Sequence, residues 1–181
     1  EVAKYWESVV LLNTWHQHRI ARAVVQRLFG TVTGKRLTIL GFAFKADTND
    51  TREAPAIRIA KDLLEEGAQL AIHDPKVNPD QIARDLSLPA SSVPDVESGP
   101  TRSSISGEGT WWHCPDIPSA VKAADAVLIL TDWSQYRELD WSVLGPLMRQ
   151  PAWIFDARSV VNPSDVKSAG LNLWLVGDGH S

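Results

Sequence analysis

The sequence predicts an α/β fold: a doubly wound, mainly parallel sheet of five or six strands, preceded by a long N-terminal helix. Three observations carry that reading. The first 29 residues contain neither Gly nor Pro and repeat apolar positions at helical spacing. From residue 35 onward, short apolar runs alternate with amphipathic stretches, the order a parallel sheet needs because each crossover requires a helix. The 181 residues, 44% of them hydrophobic, suffice for one core without metal or disulfide support.

In order along the chain, Val2, Trp6, Val9, Val10, Ile20, Val24 and Leu28 form the stripe of a helix over residues 1–29. Asn13 and Gln17 interrupt the stripe, and Gly30 caps it. Such an interrupted stripe either meets a partner surface or docks on its own domain. A strand over residues 37–40 ends at Gly41. Residues 55–66 form an amphipathic helix, with Pro55 in its first turn, Glu53 just ahead of it and Gly67 at its stop. A second strand, 70–73, ends in Asp74-Pro75. Then follow a short helix over 117–123, a buried strand over 126–130 and a helix over 141–148. Strands over 153–155 and 173–176 bring the count to five. Residues 89–116, rich in Ser, Pro and Gly, read as a surface excursion.

Charge and cysteine usage remove several function classes. Eighteen Lys and Arg stand against 22 Asp and Glu, a net charge of −4 with no long run of either sign. A basic footprint for nucleic acid is missing, and Lys35-Arg36 is too short to make one. No stretch reaches the roughly 20 apolar residues that span a membrane. The chain opens on Glu1 and Lys4 without an initiator Met, so no signal peptide is expected and the chain reads as a cytoplasmic piece of something longer. The lone Cys114 excludes an intrachain disulfide and a multi-thiolate metal site. His113 beside it does not set nucleophile–base geometry, so Cys114 reads as a bystander. His16 and His18, two apart on a helix, do not share a face, and no metal site is expected.

The segment most able to carry chemistry runs from Gly41 through Phe42, Ala43, Phe44, Lys45, Asp47, Thr48, Asp50, Thr51 and Arg52 to Glu53. It follows the first strand, where a doubly wound sheet binds ligands. With Gly41 its only glycine, it is no G-x-G-x-x-G dinucleotide fingerprint. Lys45 offers a point charge to phosphate and Arg52 a bidentate grip. The alternative is a solvated loop with Arg52 paired to Asp47 or Asp50. Beyond a later strand, Arg158 in Phe155-Asp156-Ala157-Arg158-Ser159 either meets Lys45 over one ligand or pairs with Asp156 at the surface. Asp74 imitates a ribose-binding acid but reads better as a turn former. Thr131, Asp132 and Trp133 either line the same edge or, the preferred reading, cap the next helix.

Residues 39–45, Asp47-Thr48 and Asp50-Thr51-Arg52-Glu53 together resemble the signature that opens the C-terminal domain of UDP-glucose 6-dehydrogenases. The resemblance continues through Glu66-Gly67-Ala68, Asp74-Pro75-Lys76-Val77, Leu130-Thr131-Asp132-Trp133, Glu138-Leu139-Asp140 and Phe155-Asp156-Ala157-Arg158. Tyr5-Trp6, Val9-Val10 and Asn13 resemble the family's helix linking central and C-terminal domains. The resemblance implies that residues 1–30 end that helix and that residues 31–181 form a Rossmann-like UDP-sugar-binding domain. It implies an NAD-dependent oxidation of UDP-glucose to UDP-glucuronate through a cysteine thioester, with NAD bound mainly by another domain. Phe44, Lys45 and Arg158 then correspond to substrate contacts and Arg52 to a contact with NAD. The partners implied are UDP-glucose, the remaining domains of the same chain and a further copy, joined through the helix before residue 30.

Several positions depart from the family pattern. The family's nucleophilic cysteine segment and its catalytic Lys and Asn find no match here, so no catalytic residue is assigned and the chain by itself is expected to be inactive. Ala157 replaces the usual Gly of an Asp-Gly-Arg turn, Ser159 stands where some members have Arg, and His16 replaces a Gln. Other readings of the same features are a GDP-mannose or UDP-N-acetylmannosamine dehydrogenase, or a non-catalytic oligomerisation module built on the first helix.

Overall fold

The structure is a computed structural model that describes residues 18–94 and 107–177. Residues 1–17, with Val2, Trp6, Val9, Val10, Asn13 and His16, lie outside the described residues, as do residues 95–106 of the excursion. Among the described residues six parallel strands form one sheet: β1 (Arg36–Leu40), β2 (Gln69–His73), β3 (Thr110–His113), β4 (Ala126–Ile129), β5 (Trp153–Asp156) and β6 (Asn172–Leu175). Their order is β3-β2-β1-β4-β5-β6. The chain thus steps outward from β1 in one direction and outward from β4 in the other. The reversal falls between β1 and β4, the switch point at whose carboxyl end such sheets open a crevice.

Helix α1 covers residues 18–27, α2 is Pro55–Glu65, α3 Pro79–Leu86, α4 Ile117–Val121, α5 Ser134–Arg137, α6 Trp141–Leu144 and α7 Pro163–Ser168. Right-handed crossovers put α2 and α3 on one face and α4 on the other. Register agrees, because Thr38 Oγ1 donates to the Ala120 carbonyl of α4 at 2.6 Å while α2 buries Ile59, Ala60 and Leu63 opposite. The central strands are apolar on both faces, as two covering layers demand: Leu37, Ile39 and Leu40 of β1 and all of β4 are fully buried. Helix α1 docks on this domain through Ala21, Val24 and Leu28. Its first described residue, His18, sets Nδ1 2.7 Å from Asp62 Oδ2 of α2, and the Arg27 guanidinium lies 5.6 Å from the Trp153 ring centroid.

Five elements differ from the sequence reading. Residues 110–113 of the expected excursion form β3, which buries Trp111 and Trp112 and brings the strand count to six. The run is only four residues long, and a Ser/Pro/Gly stretch on its N-terminal side hides it. Helix α3 was legible in hindsight: Asn78 accepts from Gln81 N and Pro79 occupies the first turn. Helices α5 and α7, four and six residues, fall below the length at which periodicity shows. The predicted helix over 141–148 divides into α6 and a 3-10 turn, Gly145–Leu147, that begins just before Pro146.

Candidate functional site

The loop after β1 takes its shape from one glycine and one buried carboxylate. Gly41 has φ +92°, and a Cβ there would collide with the Thr131 side chain. No other residue type suits both demands. Next, Asp74 at the end of β2 reaches across: Oδ2 accepts from Phe42 N (2.7 Å) and Ala43 N (3.0 Å). Its Oδ1 accepts from Lys76 N (2.9 Å) and Val77 N (3.0 Å), and Trp133 Nε1 lies 3.3 Å from Oδ2. Asp74 therefore does more than form a turn; it braces two loops against each other. This arrangement also explains the absence of a glycine fingerprint. The amides that would cradle a dinucleotide pyrophosphate in a Gly-rich turn are here taken by Asp74, so this turn offers NAD no such cradle.

Beyond the brace the loop closes on itself and exposes its tip. Phe44 N donates to the Asp50 carbonyl (2.8 Å), Gln81 Nε2 to the Asn49 carbonyl and Thr51 Oγ1 (both 2.9 Å), and Lys76 Nζ to the Asp47 carbonyl (3.3 Å). Phe44 is left 49% exposed, although residues 42 and 43 beside it are buried. Lys45 is exposed at the same tip.

Arg52 takes the paired alternative. Its Nε and Nη2 donate to Asp50 Oδ1 (2.9 Å) and Oδ2 (2.7 Å). Those hydrogen bonds pull the Asp50 carboxyl down to about 2 and push the Arg52 guanidinium up. The bidentate fork leaves Nη1 and one hydrogen of Nη2 for another acceptor, and the side chain is 88% exposed.

Arg158, in contrast, does not pair with Asp156. Asp156 is buried and accepts from the backbone N–H groups of Arg158 (2.9 Å), Val160 (2.7 Å) and Val161 (2.9 Å). Arg158 Nη2 instead donates to Asp132 Oδ1 at 3.1 Å. Burial pushes the Asp132 carboxyl up, but its own backbone hydrogen bond and Arg158 outweigh that and hold it below its ordinary value. The positive φ of this turn belongs to Ser159 (56°), not Ala157, so alanine in place of glycine at 157 carries no backbone strain.

Thr131 is not a helix cap. The N-cap of α5 is Trp133, which makes no side-chain cap bond, while Thr131 Oγ1 donates to the Ala43 carbonyl at 2.6 Å. The structure thus brings Phe44, Lys45, Asp132 and Arg158 onto loops leaving one sheet edge, on strands β1, β4 and β5 in sequence of adjacency. With strands about 4.8 Å apart, the two cations rise from strands about 10 Å apart, on either side of β4. No hydrogen bond or ion pair joins Lys45 to Arg158 among the described residues. The sequence offers Thr131, Asp132 and Trp133 for this edge as the alternative to a helix cap, and Asp74 as a turn former; the partners of these side chains are what the structure adds.

Other ionisable groups near the strand ends are buried. His73 and Tyr136 are both buried, with Nδ1 3.0 Å from the hydroxyl; burial pushes the imidazole down and the phenol up. Cys114 is buried beside Trp112, and burial pushes its thiol up although Arg36 opposes the shift. Among the described residues, no group of three or more His, Cys, Asp or Glu is placed to hold a metal ion, and no helix is long and apolar enough to cross a membrane.

Fold and edge together define a class: a doubly wound α/β domain whose switch-point edge carries exposed Lys45 and part-exposed Arg158 and no glycine-rich loop. The chain belongs to the UDP-glucose/GDP-mannose dehydrogenase family, whose UDP binding domain matches residues 38–163. It is 38% identical to UDP-glucose 6-dehydrogenase 4 of Arabidopsis thaliana, over 98% of this chain and 37% of that protein. To the UDP-glucose 6-dehydrogenase of Drosophila melanogaster it is 39% identical, over 98% of this chain and 35% of that one. The chain therefore spans little more than a third of the length of these relatives. Among solved structures, it shares its fold with an NDP-N-acetyl-D-galactosaminuronic acid dehydrogenase from Methanosarcina mazei Go1 (TM-score 0.64, 23% identity, 91% of this chain and 29% of that one). A UDP-glucose dehydrogenase from Pyrobaculum islandicum matches with a TM-score of 0.53 and 25% identity, over 80% of this chain and 27% of that one.

Proposed function

We propose that this chain is the UDP-sugar-binding domain of an NAD-dependent UDP-glucose 6-dehydrogenase, in which Phe44, Lys45 and Arg158 contact the substrate. The observation that carries the proposal is the placement of Lys45 and Arg158 on loops flanking the switch point, around the exposed Phe44 ring. A nucleoside diphosphate sugar has two phosphate charges for those cations and an apolar surface for the ring. The names and identities of the relatives support UDP-glucose as that sugar nucleotide.

NAD, which takes up hydride when bound, is held mainly outside this chain. In support, the β1–α2 turn has its amides occupied by Asp74, whereas Arg52 retains outward-facing donors for a dinucleotide phosphate. Residues 1–30 end a linking helix, residues 31–181 form the UDP-sugar domain, and the helix joins a second copy. A chain with one buried thiol and no disulfide suits the reducing cytoplasm.

Calorimetric titration with UDP tests the site. Lys45→Ala and Arg158→Ala are each expected to weaken binding by roughly 1.5–3 kcal/mol, the range for hydrogen bonds to charged groups. Parental affinity in both variants would place the site elsewhere.

A further inference from the structure

We propose that Thr131, Asp132 and Trp133 are the positioning segment of the UDP site, with Asp132 holding Arg158 in the orientation that meets the ligand's diphosphate. The inference rests on the reading of Lys45 and Arg158 as UDP contacts and adds to it the residues that fix where those cations stand.

Topology singles this segment out. Strand β4 lies between β1 and β5, so the residues leaving it are the ones able to touch both flanking loops. Thr131 reaches the β1 side, Asp132 the β5 side, and Trp133 the end of β2. Thr131 Oγ1 donates to the Ala43 carbonyl, one residue before Phe44. Trp133 Nε1 lies 3.3 Å from Asp74 Oδ2, the oxygen that also holds Phe42 N and Ala43 N. Asp132 Oδ1 accepts from Arg158 Nη2 on the β5 side. Thr131 and Trp133 are buried at 0% and 5% exposure, and so fix the loop that presents Lys45. Asp132 and Arg158 retain 35% and 38% side-chain exposure, and so face a ligand's approach.

The chemistry of Arg158 gives Asp132 its role. A guanidinium has five N–H donors in a planar fork, and one is directed at Asp132; the remaining four are free to meet phosphate oxygens. An unheld arginine must be ordered when ligand binds, and that loss of rotamer freedom weakens affinity. Asp132 is also an anion beside a site for a dianion. If its charge were all that mattered, removing it would tighten UDP binding. As a positioning residue it acts in the opposite sense, and that opposition makes the test.

UDP is titrated into the 181-residue chain and into Asp132→Ala, Asp132→Asn, Arg158→Ala and the double variant Asp132→Ala/Arg158→Ala. Asp132→Ala is expected to weaken binding about three- to tenfold, the range that follows from ordering one long side chain. Asp132→Asn keeps a carbonyl acceptor for Nη2 without the charge, and is expected to bind within about twofold of the parent or more tightly. In the Arg158→Ala background, Asp132→Ala is expected to have no further effect. Unliganded melting temperatures equal to the parent's show that the loss is not unfolding. Unchanged or tighter binding by Asp132→Ala, with Arg158→Ala still impaired, overturns the positioning role and leaves the UDP site standing. Parental binding by Arg158→Ala, or no binding by the parent chain, overturns the reading beneath it and the proposal with it.

Discussion

Asp74 is the residue on which this sheet edge most depends. A buried carboxylate is costly unless its oxygens are fully engaged. Here four backbone N–H groups, from Phe42, Ala43, Lys76 and Val77, meet its two oxygens, and the Trp133 indole adds a fifth donor. Removing it leaves amides of the buried residues Phe42, Ala43 and Val77 without an acceptor. Each orphaned buried amide costs about 1–3 kcal/mol, so Asp74→Ala is expected to destabilise the chain by roughly 3–5 kcal/mol. The measure is a lower urea midpoint at unchanged denaturant slope. Asp74→Asn retains one carbonyl oxygen and is expected to lose less. An Asp74→Ala midpoint equal to the parent's would show that the two loops keep their shape without the brace.

At the scale of elements, the end of β2 and helix α5 form another buried contact, and this one is expected to respond to pH. His73 and Tyr136 are both buried and hydrogen-bonded to each other, and the Tyr136 hydroxyl also donates to the His73 carbonyl at 3.2 Å. Burial pushes the imidazole below its ordinary 6.5; Asp74 and Asp116 oppose that shift and His113 adds to it. The sign follows from linkage. Above 6.5 the imidazole is neutral in both the folded and unfolded chain and no differential exists. As pH falls below 6.5, the unfolded chain takes a proton that the folded chain resists, so stability declines until the lowered folded value is passed. The expected slope approaches about 1.4 kcal/mol per pH unit for one proton. Urea denaturation between about pH 5 and pH 8 measures it, and a His73→Asn variant is expected to flatten that segment. A slope equal to the parent's in His73→Asn would assign the pH response to other groups.

The same elements show which parts of the fold were legible. Strands β1, β2 and β4 were readable because burial on both faces makes them continuous apolar runs bounded by Gly41, by Asp74-Pro75 and by Thr131. Helix α2 was readable because its stripe is long and Pro55 and Gly67 mark its ends. Strand β3 was not, since four residues with two tryptophans give no period and the stretch before them is turn-rich. Candidate site residues divided in a similar way. Lys45, Arg52 and Arg158 stand out as cations after strands, and Phe44 enters through the family resemblance. What Thr131, Asp132 and Trp133 hold in place was not legible, because their partners Ala43, Arg158 and Asp74 lie 88, 26 and 59 positions away in sequence. Hydrogen bonds of that span depend on strand order, which a linear pattern does not contain.

For the whole molecule, binding is expected to be separable from chemistry. The chain has one cysteine, and Cys114 is buried against Ala71, Trp112 and Ala120 with its thiol pushed up by burial. A thiol in that state is a poor nucleophile. In the β1–α2 turn the Phe42 and Ala43 amides are taken by Asp74. The edge that carries Lys45 and Arg158, in contrast, is assembled from this chain's own loops. The 181-residue chain is therefore expected to bind UDP and to produce no sustained NADH from UDP-glucose and NAD. Binding that favours the folded state stabilises it by about 2.7 kcal/mol at a free ligand concentration a hundredfold above Kd. For a domain of this size each kcal/mol raises Tm by about 2–4 °C, so UDP at that level is expected to raise it by roughly 5–10 °C. Lys45→Ala should erase most of the rise while leaving the unliganded Tm in place, because Lys45 is exposed at the loop tip. Steady NADH production by the chain would overturn the separation of binding from chemistry, and a Tm indifferent to UDP would remove the ligand from this sheet edge.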